Sequence, residues 1–202
     1  MAQIAISSPV PLSLQLGDAL RLSDEELFEL CARNRDLRIE RTAEGDLIVM
    51  SPAGGESSHH NAEIVYSLTA WAKGDGTGVV FDSSGGFLLP NGAMRSPDAA
   101  WVLRSRLDAV PESQRKRFLP LCPDFVIELR SPSDRLADVQ AKMEEYRDNG
   151  ARLGWLIDPV EQRVHVYRPE QPVDVLGQPS EISGDPELPD FVLDLRPVWE
   201  PL

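Results

Sequence analysis

Two acidic residues of this 202-residue chain stand in or beside apolar, strand-like segments, where charged side chains are rare. Asp98 follows Pro97 and opens the apolar run that ends at Leu103, and Glu128 lies within the Phe-Val-Ile-Glu-Leu segment at 125–129. Burying a carboxylate costs several kcal/mol unless it is paired or binds a metal. Two such carboxylates on neighbouring strands can hold one divalent cation through hard oxygen ligands.

Each of these residues also has a purely structural interpretation. Glu128 can pair with Arg130, two residues further along, because alternate side chains of a strand share a face. Asp98 can simply begin a strand, since Pro-Asp commonly marks a turn or a strand start. The residues alone therefore leave open whether Glu128 belongs to a site or to an ion pair, and they favour the structural interpretation of Asp98 taken alone.

Helices and strands alternate along the chain around these residues. A capping box formed by Ser23 and Glu26 predicts a first helix, and helical periodicity predicts two more at about 58–73 and 134–149. Residues 104–118 are predicted to form a helical, basic excursion. Alternating or continuous apolar residues predict strands at 37–41, 46–50, 79–82, 86–89, 98–103, 125–129, 154–158 and 163–167.

This order of elements predicts the α/β (α+β) class, with one central mixed β-sheet flanked by helices. Residues 1–20 are predicted to form an extended N-terminal arm. Residues 21–202 are expected to form a single domain that ends in an acidic tail, 169–202. The length agrees with one domain, since domains typically contain about 100–200 residues.

The charge balance restricts the class of protein. Twenty basic and 33 acidic residues give a net charge of −13, whereas proteins that grip a nucleic-acid backbone usually show a basic footprint. The charge is uneven, because residues 95–118 carry a net +3 and the tail carries −7. A uniformly basic, passive DNA-binding module is therefore disfavoured, although a local site can still bind DNA.

The two cysteines and the two adjacent histidines exclude other kinds of site. Cys31 and Cys122 are far apart, which excludes a disulfide scaffold and a cysteine zinc site. His59 and His60 diverge by about 100° on a helix, so they are poorly placed to share a metal and are expected at the surface. The cysteine usage suits a reducing, cytoplasmic location. No membrane span is expected, because no apolar segment approaches about 20 residues.

A longer pattern connects the acidic residues to a known family. Its segments are Arg-Ser-Pro-Asp-Ala-Ala-Trp at 95–101, Pro-Asp-Phe-Val-Ile-Glu-Leu-Arg-Ser-Pro-Ser at 123–133, Lys142, Tyr146, Gly150, Trp-Leu-Ile-Asp-Pro at 155–159, and Met-Ser-Pro-Ala-Gly-Gly-Glu at 50–56. Together they resemble the Uma2 family, also called DUF820, over roughly residues 20–195. That family belongs to the PD-(D/E)XK nuclease superfamily, so the resemblance implies a restriction-endonuclease-like fold.

The resemblance also implies a metal-dependent DNA endonuclease that leaves a 5′-phosphate and a 3′-hydroxyl. Asp98, Glu128 and the main-chain carbonyl of Leu129 would bind Mg²⁺ or Mn²⁺. The superfamily expects lysine at position 130, where this chain has Arg130, which can stabilise charge but cannot act as a base. Lys142 matches a helix lysine that replaces it in relatives, and it would orient or deprotonate the attacking water.

Further residues are expected to support this site. Glu56 and Asn61, near the start of the second helix, would act behind the metal ligands or through water. The basic excursion would lie against the DNA backbone through Arg104, Arg106, Arg115, Lys116 and Arg117. A homodimer is expected for a double-strand cutter, because each site cuts one strand and a twofold axis matches the duplex.

Two functions from other classes remain open on the sequence alone. A non-catalytic binding or interaction protein that keeps the nuclease fold would account for Arg130 and for the acidic charge. A sugar hydrolase would use a carboxylate pair about 5–9.5 Å apart without a metal. Dependence on a divalent cation separates the nuclease from both.

Overall fold

The computed structural model describes residues 11–17, 20–50 and 52–202. Much of the predicted N-terminal arm, namely 1–10 and 18–19, lies outside the described residues. The helices of the described part are α1 (Asp24–Arg33), α2 (Gly55–Asp75), α3 (Arg104–Ala109), α4 (Leu136–Asp148) and α5 (Arg196–Trp199). None of these helices is long and apolar enough to cross a membrane.

The strands of the described part form a five-stranded, a six-stranded and a two-stranded sheet. In chain order they are β1 (Leu12–Leu14), β2 (Arg38–Arg41), β3 (Leu47–Met50), β4 (Gly78–Asp82), β5 (Phe87–Leu88), β6 (Met94–Arg95), β7 (Ala99–Leu103), β8 (Phe125–Leu129), β9 (Leu153–Asp158), β10 (Arg163–Tyr167), β11 (Asp174–Gly177), β12 (Glu181–Ser183) and β13 (Val192–Asp194).

The five-stranded sheet, called the hairpin sheet below, has the antiparallel order β1-β3-β2-β6-β5. Strands β2 and β3 pair as the predicted hairpin. Ile39 and Val49 pack with Leu27 of α1, so this helix covers one face of the sheet. Because side chains alternate, Arg38 and Glu40 of β2 lie on the opposite face.

The six-stranded sheet, called the central sheet below, has the order β11-β10-β9-β8-β7-β4. Strands β8 and β9 are parallel and are connected through α4, and the other neighbours are antiparallel. Every residue of β8 and β9 is buried. The predicted mixed central sheet with flanking helices is therefore confirmed.

The two faces of the central sheet are covered by α2 and α4. Phe125 of β8 belongs to the same apolar core as Ile64 of α2. Val126, on the other face of β8, shares a second core with Tyr146 of α4. Glu128 lies two residues beyond Val126, so its side chain points towards α4.

Helix α2 begins earlier than the predicted helix at 58–73, and one of its two adjacent histidines is buried. His59 is exposed as expected, but His60 is buried with only 4% of its surface exposed. The surface prediction for His60 was wrong because His60 lies at four-residue spacing with Ile64 and Leu68, on the face of α2 that is buried.

The basic excursion and the acidic tail are both more structured than their composition suggests. Residues 104–118 contain α3 and a short 3₁₀ turn at Gln114–Lys116. The segment 169–202 contributes β11, β12, β13 and α5, and buries Phe191 and Leu195 in the core beside the central sheet. Seven of its eight acidic side chains are exposed, so the acidic charge lies at the surface of a packed segment.

Candidate active site at the paired ends of two strands

Asp98 lies at the start of β7, where this strand meets the end of the antiparallel strand β8. The Oδ2 atom of Asp98 accepts a hydrogen bond of 2.9 Å from the main-chain N–H of Leu129. Residue Ala99 pairs with Ile127, which fixes this register. The antiparallel pairing therefore brings Asp98 next to Glu128, although thirty residues separate them in the sequence.

Glu128 is buried between β8 and α4 and contacts two side chains of that helix. The Nζ atom of Lys142 lies 2.8 Å from Oε1 of Glu128. The phenol of Tyr146 donates a hydrogen bond of 3.0 Å to the same oxygen. Lys142 and Tyr146 can converge on one carboxylate because residues four apart share a face of a helix.

The charges in this site shift the pKa values of the buried groups. Burial raises the pKa of Glu128 to about 7; Lys142 opposes the rise, and the negative charges of Asp98 and Glu40 add to it. Burial alone would lower the pKa of Lys142, but Glu128 and Glu40 outweigh it and leave that pKa raised. Lys142 is therefore an ammonium at neutral pH, held between carboxylates.

Glu40 of the hairpin sheet is a site residue that the sequence analysis missed. It is 2% exposed, and its Oε1 atom lies 2.8 Å from Nζ of Lys142. The same oxygen accepts the main-chain N–H of Ser96 at 2.9 Å, and Oε2 contacts Arg95 at 3.2 Å. Burial would raise the pKa of Glu40, but Lys142, Arg95 and Arg38 outweigh it and hold that pKa at about 2.

A second residue of β2, Arg38, reaches the other carboxylate. Its Nη1 atom donates to Oδ1 of Asp98 at 3.0 Å, and Nη2 donates to the main-chain oxygen of Ser96. The Arg38 side chain is 31% exposed, compared with 13% for Lys142. Arg38 is thus the more accessible of these two cations.

The charged groups form one connected network with a negative excess. Arg95 extends it, because its Nε atom lies 2.5 Å from Oε2 of Glu145. The four carboxylates are Asp98, Glu128, Glu40 and Glu145, and the three cations are Arg38, Lys142 and Arg95. One negative charge is left over in a largely buried site, and the neighbouring carboxylates add to the rise that burial causes in the pKa of Glu128.

Arg130 does not form the ion pair with Glu128 that its spacing allows. Its Nη1 atom lies 2.8 Å from Oδ2 of Asp158, and its Nε atom donates to the main-chain oxygen of Asp134 at 3.2 Å. Asp158 is fully buried at the end of β9. Arg130 therefore ties the adjacent ends of β8 and β9 together.

Glu56 and Asn61, the two supporting candidates of α2, differ in their surroundings. Glu56 is exposed in the first turn, and its Oε1 atom accepts a hydrogen bond of 3.4 Å from the main-chain N–H of Leu202. The buried Oδ1 atom of Asn61 has no hydrogen-bond partner within the described chain. For the residues described here, neither side chain hydrogen-bonds to Asp98 or Glu128.

The five basic residues proposed to face DNA divide into two groups. Three have acidic partners within the chain. These are Arg106 with Asp124 at 3.0 Å, Arg115 with Asp108 at 3.8 Å, and Arg117 with Glu25 at 2.5 Å. Arg104 and Lys116 are exposed. Internal pairing therefore offsets much of the positive charge that the composition of this segment indicates.

The residues described contain no cluster of three or more histidine, cysteine or acidic side chains arranged to hold a metal. The expected ligand set needs only two carboxylates and a carbonyl. Asp98 and Glu128 lie together at one end of β7 and β8, and their role as metal ligands stays a prediction. These are hard oxygen donors of the kind that Mg²⁺ and Mn²⁺ prefer.

Comparisons with known proteins agree with this fold. The sequence profile of the Uma2 family, described as "Putative restriction endonuclease", matches residues 24–196. A crystal structure described as "a putative nuclease belonging to DUF820", from Anabaena variabilis, matches 88% of this chain and 97% of its own, with a TM-score of 0.74 and 23% identity. No curated protein matches the chain.

The structural match shows a shared fold, and the profile match extends over most of the chain. Its limits include four of the five strands of the hairpin sheet, β2, β3, β5 and β6. They also include Asp98, Glu128 and helix α4 with Lys142. The resemblance found in the sequence is therefore confirmed. The chain belongs to the Uma2 family.

Proposed function

We propose that this chain is a nuclease that uses Mg²⁺ or Mn²⁺ to hydrolyse phosphodiester bonds in DNA. The observation that carries the proposal is the convergence of Asp98, Glu128 and Lys142 at one end of β7 and β8, in a network with one uncompensated negative charge. The description of the family as a restriction endonuclease supports the reaction class.

The residues present fit a divalent cation. Each carboxylate oxygen can accept about two hydrogen bonds or ligands, so the contacts of Asp98 leave free lone pairs on both oxygens. A cation would also offset the negative charges of Asp98 and Glu40, which add to the rise that burial causes in the pKa of Glu128. Asp98, Glu128 and the carbonyl of Leu129 would hold it. Bound there, it would polarise the scissile phosphate and lower the pKa of a nearby water.

The chain's own cations would bind and orient the substrate. Lys142 lies between two carboxylates, where its ammonium would orient the attacking water and stabilise negative charge. Arg38, which is partly exposed, is free to contact a phosphate once a metal ion neutralises Asp98. Arg130, held by Asp158, supplies a fixed positive charge at the end of β8.

A non-catalytic, nuclease-fold binding protein is the second candidate. The acidic partners of Arg106, Arg115 and Arg117 favour it, because they reduce the positive surface available to DNA. Such a protein has no need of a cation between Asp98 and Glu128. Binding of DNA without metal-dependent cleavage would support this alternative.

Plasmid nicking is the test, and the chain offers a matched control. Purified wild type is incubated with supercoiled plasmid and Mg²⁺ or Mn²⁺, with and without EDTA, beside D98N and D124N. Asp124 is a control because it also binds one arginine and one main-chain N–H. We expect D98N to lose about 1,000-fold or more, because a lost metal site forfeits several kcal/mol of charge stabilisation.

D124N should keep its nicking rate per folded molecule, and EDTA should abolish nicking by the wild type. Equal rates for wild type and D98N would identify the nicking as contamination and contradict the proposal. Nicking that persists in EDTA would exclude the metal mechanism and direct attention to a metal-free carboxylate pair.

A further inference from the structure

Glu40 joins the hairpin sheet to the candidate site on the central sheet. Its partner Lys142 lies on α4, 102 residues later in the chain. Glu40 belongs to a strand that contributes no residue to the expected metal ligands. Its contact with Lys142 therefore has to be explained separately from metal binding.

The carboxylate of Glu40 is held in place by its own contacts, so it can restrict the position of the flexible Lys142 side chain. Ser96 N–H and Arg95 hold both of its oxygens, and only 2% of the residue is exposed. A lysine side chain, in contrast, has four rotatable bonds and loses much conformational freedom when it is ordered. The shared Oε1 atom of Glu40, 2.8 Å from Nζ, restricts where the Lys142 ammonium can lie.

The position to which Glu40 restricts the Lys142 ammonium lies within the candidate site, next to Glu128. The same Nζ atom is 2.8 Å from Oε1 of Glu128. Without Glu40, the described partners of the Lys142 ammonium would be Glu128 and the ring of Tyr146. The centroid of that ring is 5.9 Å from Nζ. A metal ion on Glu128 would then compete with Lys142 for its main remaining anion.

We infer that Glu40 is a positioning residue, which holds the Lys142 ammonium beside Glu128 while Asp98 and Glu128 bind a cation. The inference rests on the proposed nuclease function and adds the hairpin sheet to its machinery. A displacement of about 1 Å in such a group can slow a reaction about 100-fold.

Glu145 provides the matched control for Glu40. Both glutamates contact Arg95 in the same network, but the described contacts of Glu145 are with Arg95 and Asn91 and do not include Lys142. Substitution of either glutamate by glutamine removes one charge from the network. The E40Q variant also weakens the anchor of the ammonium, whereas E145Q leaves that anchor in place.

The first measurement is the crystal structure of E40Q and of E145Q, each without metal. We expect Nζ of Lys142 to leave its position beside Glu128 Oε1 in E40Q and to keep it in E145Q. An unchanged Lys142 in E40Q would overturn the inference, whatever the activity of the protein. If E40Q does not fold, E40D, which keeps the charge on a shorter side chain, is expected to move Nζ by a smaller distance.

The second measurement is a double-mutant cycle on nicking, with E40Q, K142A and the double variant under single-turnover conditions. We expect E40Q to slow nicking about 100-fold in the wild-type background, and by less than about 3-fold in the K142A background. A structural role exercised through Arg95 and Ser96 would instead slow both backgrounds equally, and that result would overturn the inference.

The two measurements separate failure of the inference from failure of the nuclease proposal. Wild type that never nicks DNA contradicts the nuclease proposal, and the crystal structures still decide whether Glu40 positions Lys142. Wild type that nicks with an additive cycle leaves the nuclease proposal intact and overturns the role of Glu40.

Discussion

The two ends of the β7–β8 strand pair carry aspartates with nearly identical contacts. Asp98 precedes β7 and accepts the N–H of Leu129 at the end of β8. Asp124 precedes β8 and accepts the N–H of Leu103 at the end of β7. Both hydrogen bonds are 2.9 Å long, and each aspartate also contacts an arginine at 3.0 Å.

The ends differ in what surrounds this shared arrangement. The Asp98 side chain is 16% exposed and lies close enough to Glu128 to raise its pKa, while the Asp124 side chain is 3% exposed. Within the described residues, the carboxylate of Asp124 contacts only the Arg106 side chain and the main-chain N–H of Leu103. An aspartate that contacts an arginine and a main-chain N–H thus occurs at both strand ends and does not by itself indicate a site. The Asp98 end is a candidate site because Glu128 and Lys142 also lie there.

The largest effect that would sharpen this comparison concerns Lys142. We expect K142A to slow metal-dependent nicking about 100-fold or more, because removal of one donor that stabilises developing charge typically costs that much. K73A, at an exposed lysine in the last turn of α2, is the control and should nick at the wild-type rate. Normal nicking by K142A would break the distinction between the two strand ends.

An intermediate effect is expected on stability, with opposite signs at the two ends. The pKa of Glu128 is raised in the folded protein to about 7, so its favourable contribution is fully present below the unfolded pKa and is lost as the pH rises through 7. In EDTA at pH 8, we expect E128Q to be more stable than wild type by about 1–3 kcal/mol. D124N should be less stable by about 1–3 kcal/mol, because it weakens a charged hydrogen bond.

Urea unfolding at pH 4.5 and pH 8 measures this difference. Wild type and E128Q should unfold alike at pH 4.5 and diverge as the pH rises, and Mn²⁺ should stabilise wild type alone. An E128Q protein that is less stable at pH 8 would show that the ionised Glu128 stabilises the fold through Lys142, as in a structural ion pair.

The smallest effect concerns the arginines that contact the two aspartates. Arg38 neutralises Asp98 and so opposes binding of a cation to it. We expect R38Q to bind Mn²⁺ several-fold more tightly in calorimetry, because the variant lacks the positive charge that competes with the cation for Asp98. R106Q, at the Asp124 end, should bind Mn²⁺ as wild type does. Equal affinities for all three proteins would separate Arg38 from the cation site.

The secondary structure followed from the sequence wherever apolar periodicity was strong. The hairpin of β2 and β3, strand β8 and helix α4 have the predicted types and differ from the predicted limits by at most two residues. The antiparallel pairing that joins Asp98 to Glu128 depends on sheet order, which local patterns do not specify. The roles of these residues stay predictions until metal and DNA binding are measured.

Glu40 was missed because its burial depends on contact between two sheets. In the sequence, Arg38 and Glu40 alternate with apolar residues, a pattern that is typical of a half-exposed strand. The face that they occupy is covered instead by Arg95, Ser96 and Lys142 from elsewhere in the chain. The pairing of Arg130 with Asp158 depends on the parallel register of β8 and β9 in the same way.

The contact between Glu40 and Lys142 also has a consequence for synthesis of the chain. Residues 40, 98 and 128 emerge from the ribosome before helix α4 exists, and domains of this size fold as units. A nascent chain that stops short of residue 142 therefore contains the acidic residues without the ammonium that they surround. The complete charged network can therefore form only after roughly the first seven-tenths of the chain has been translated.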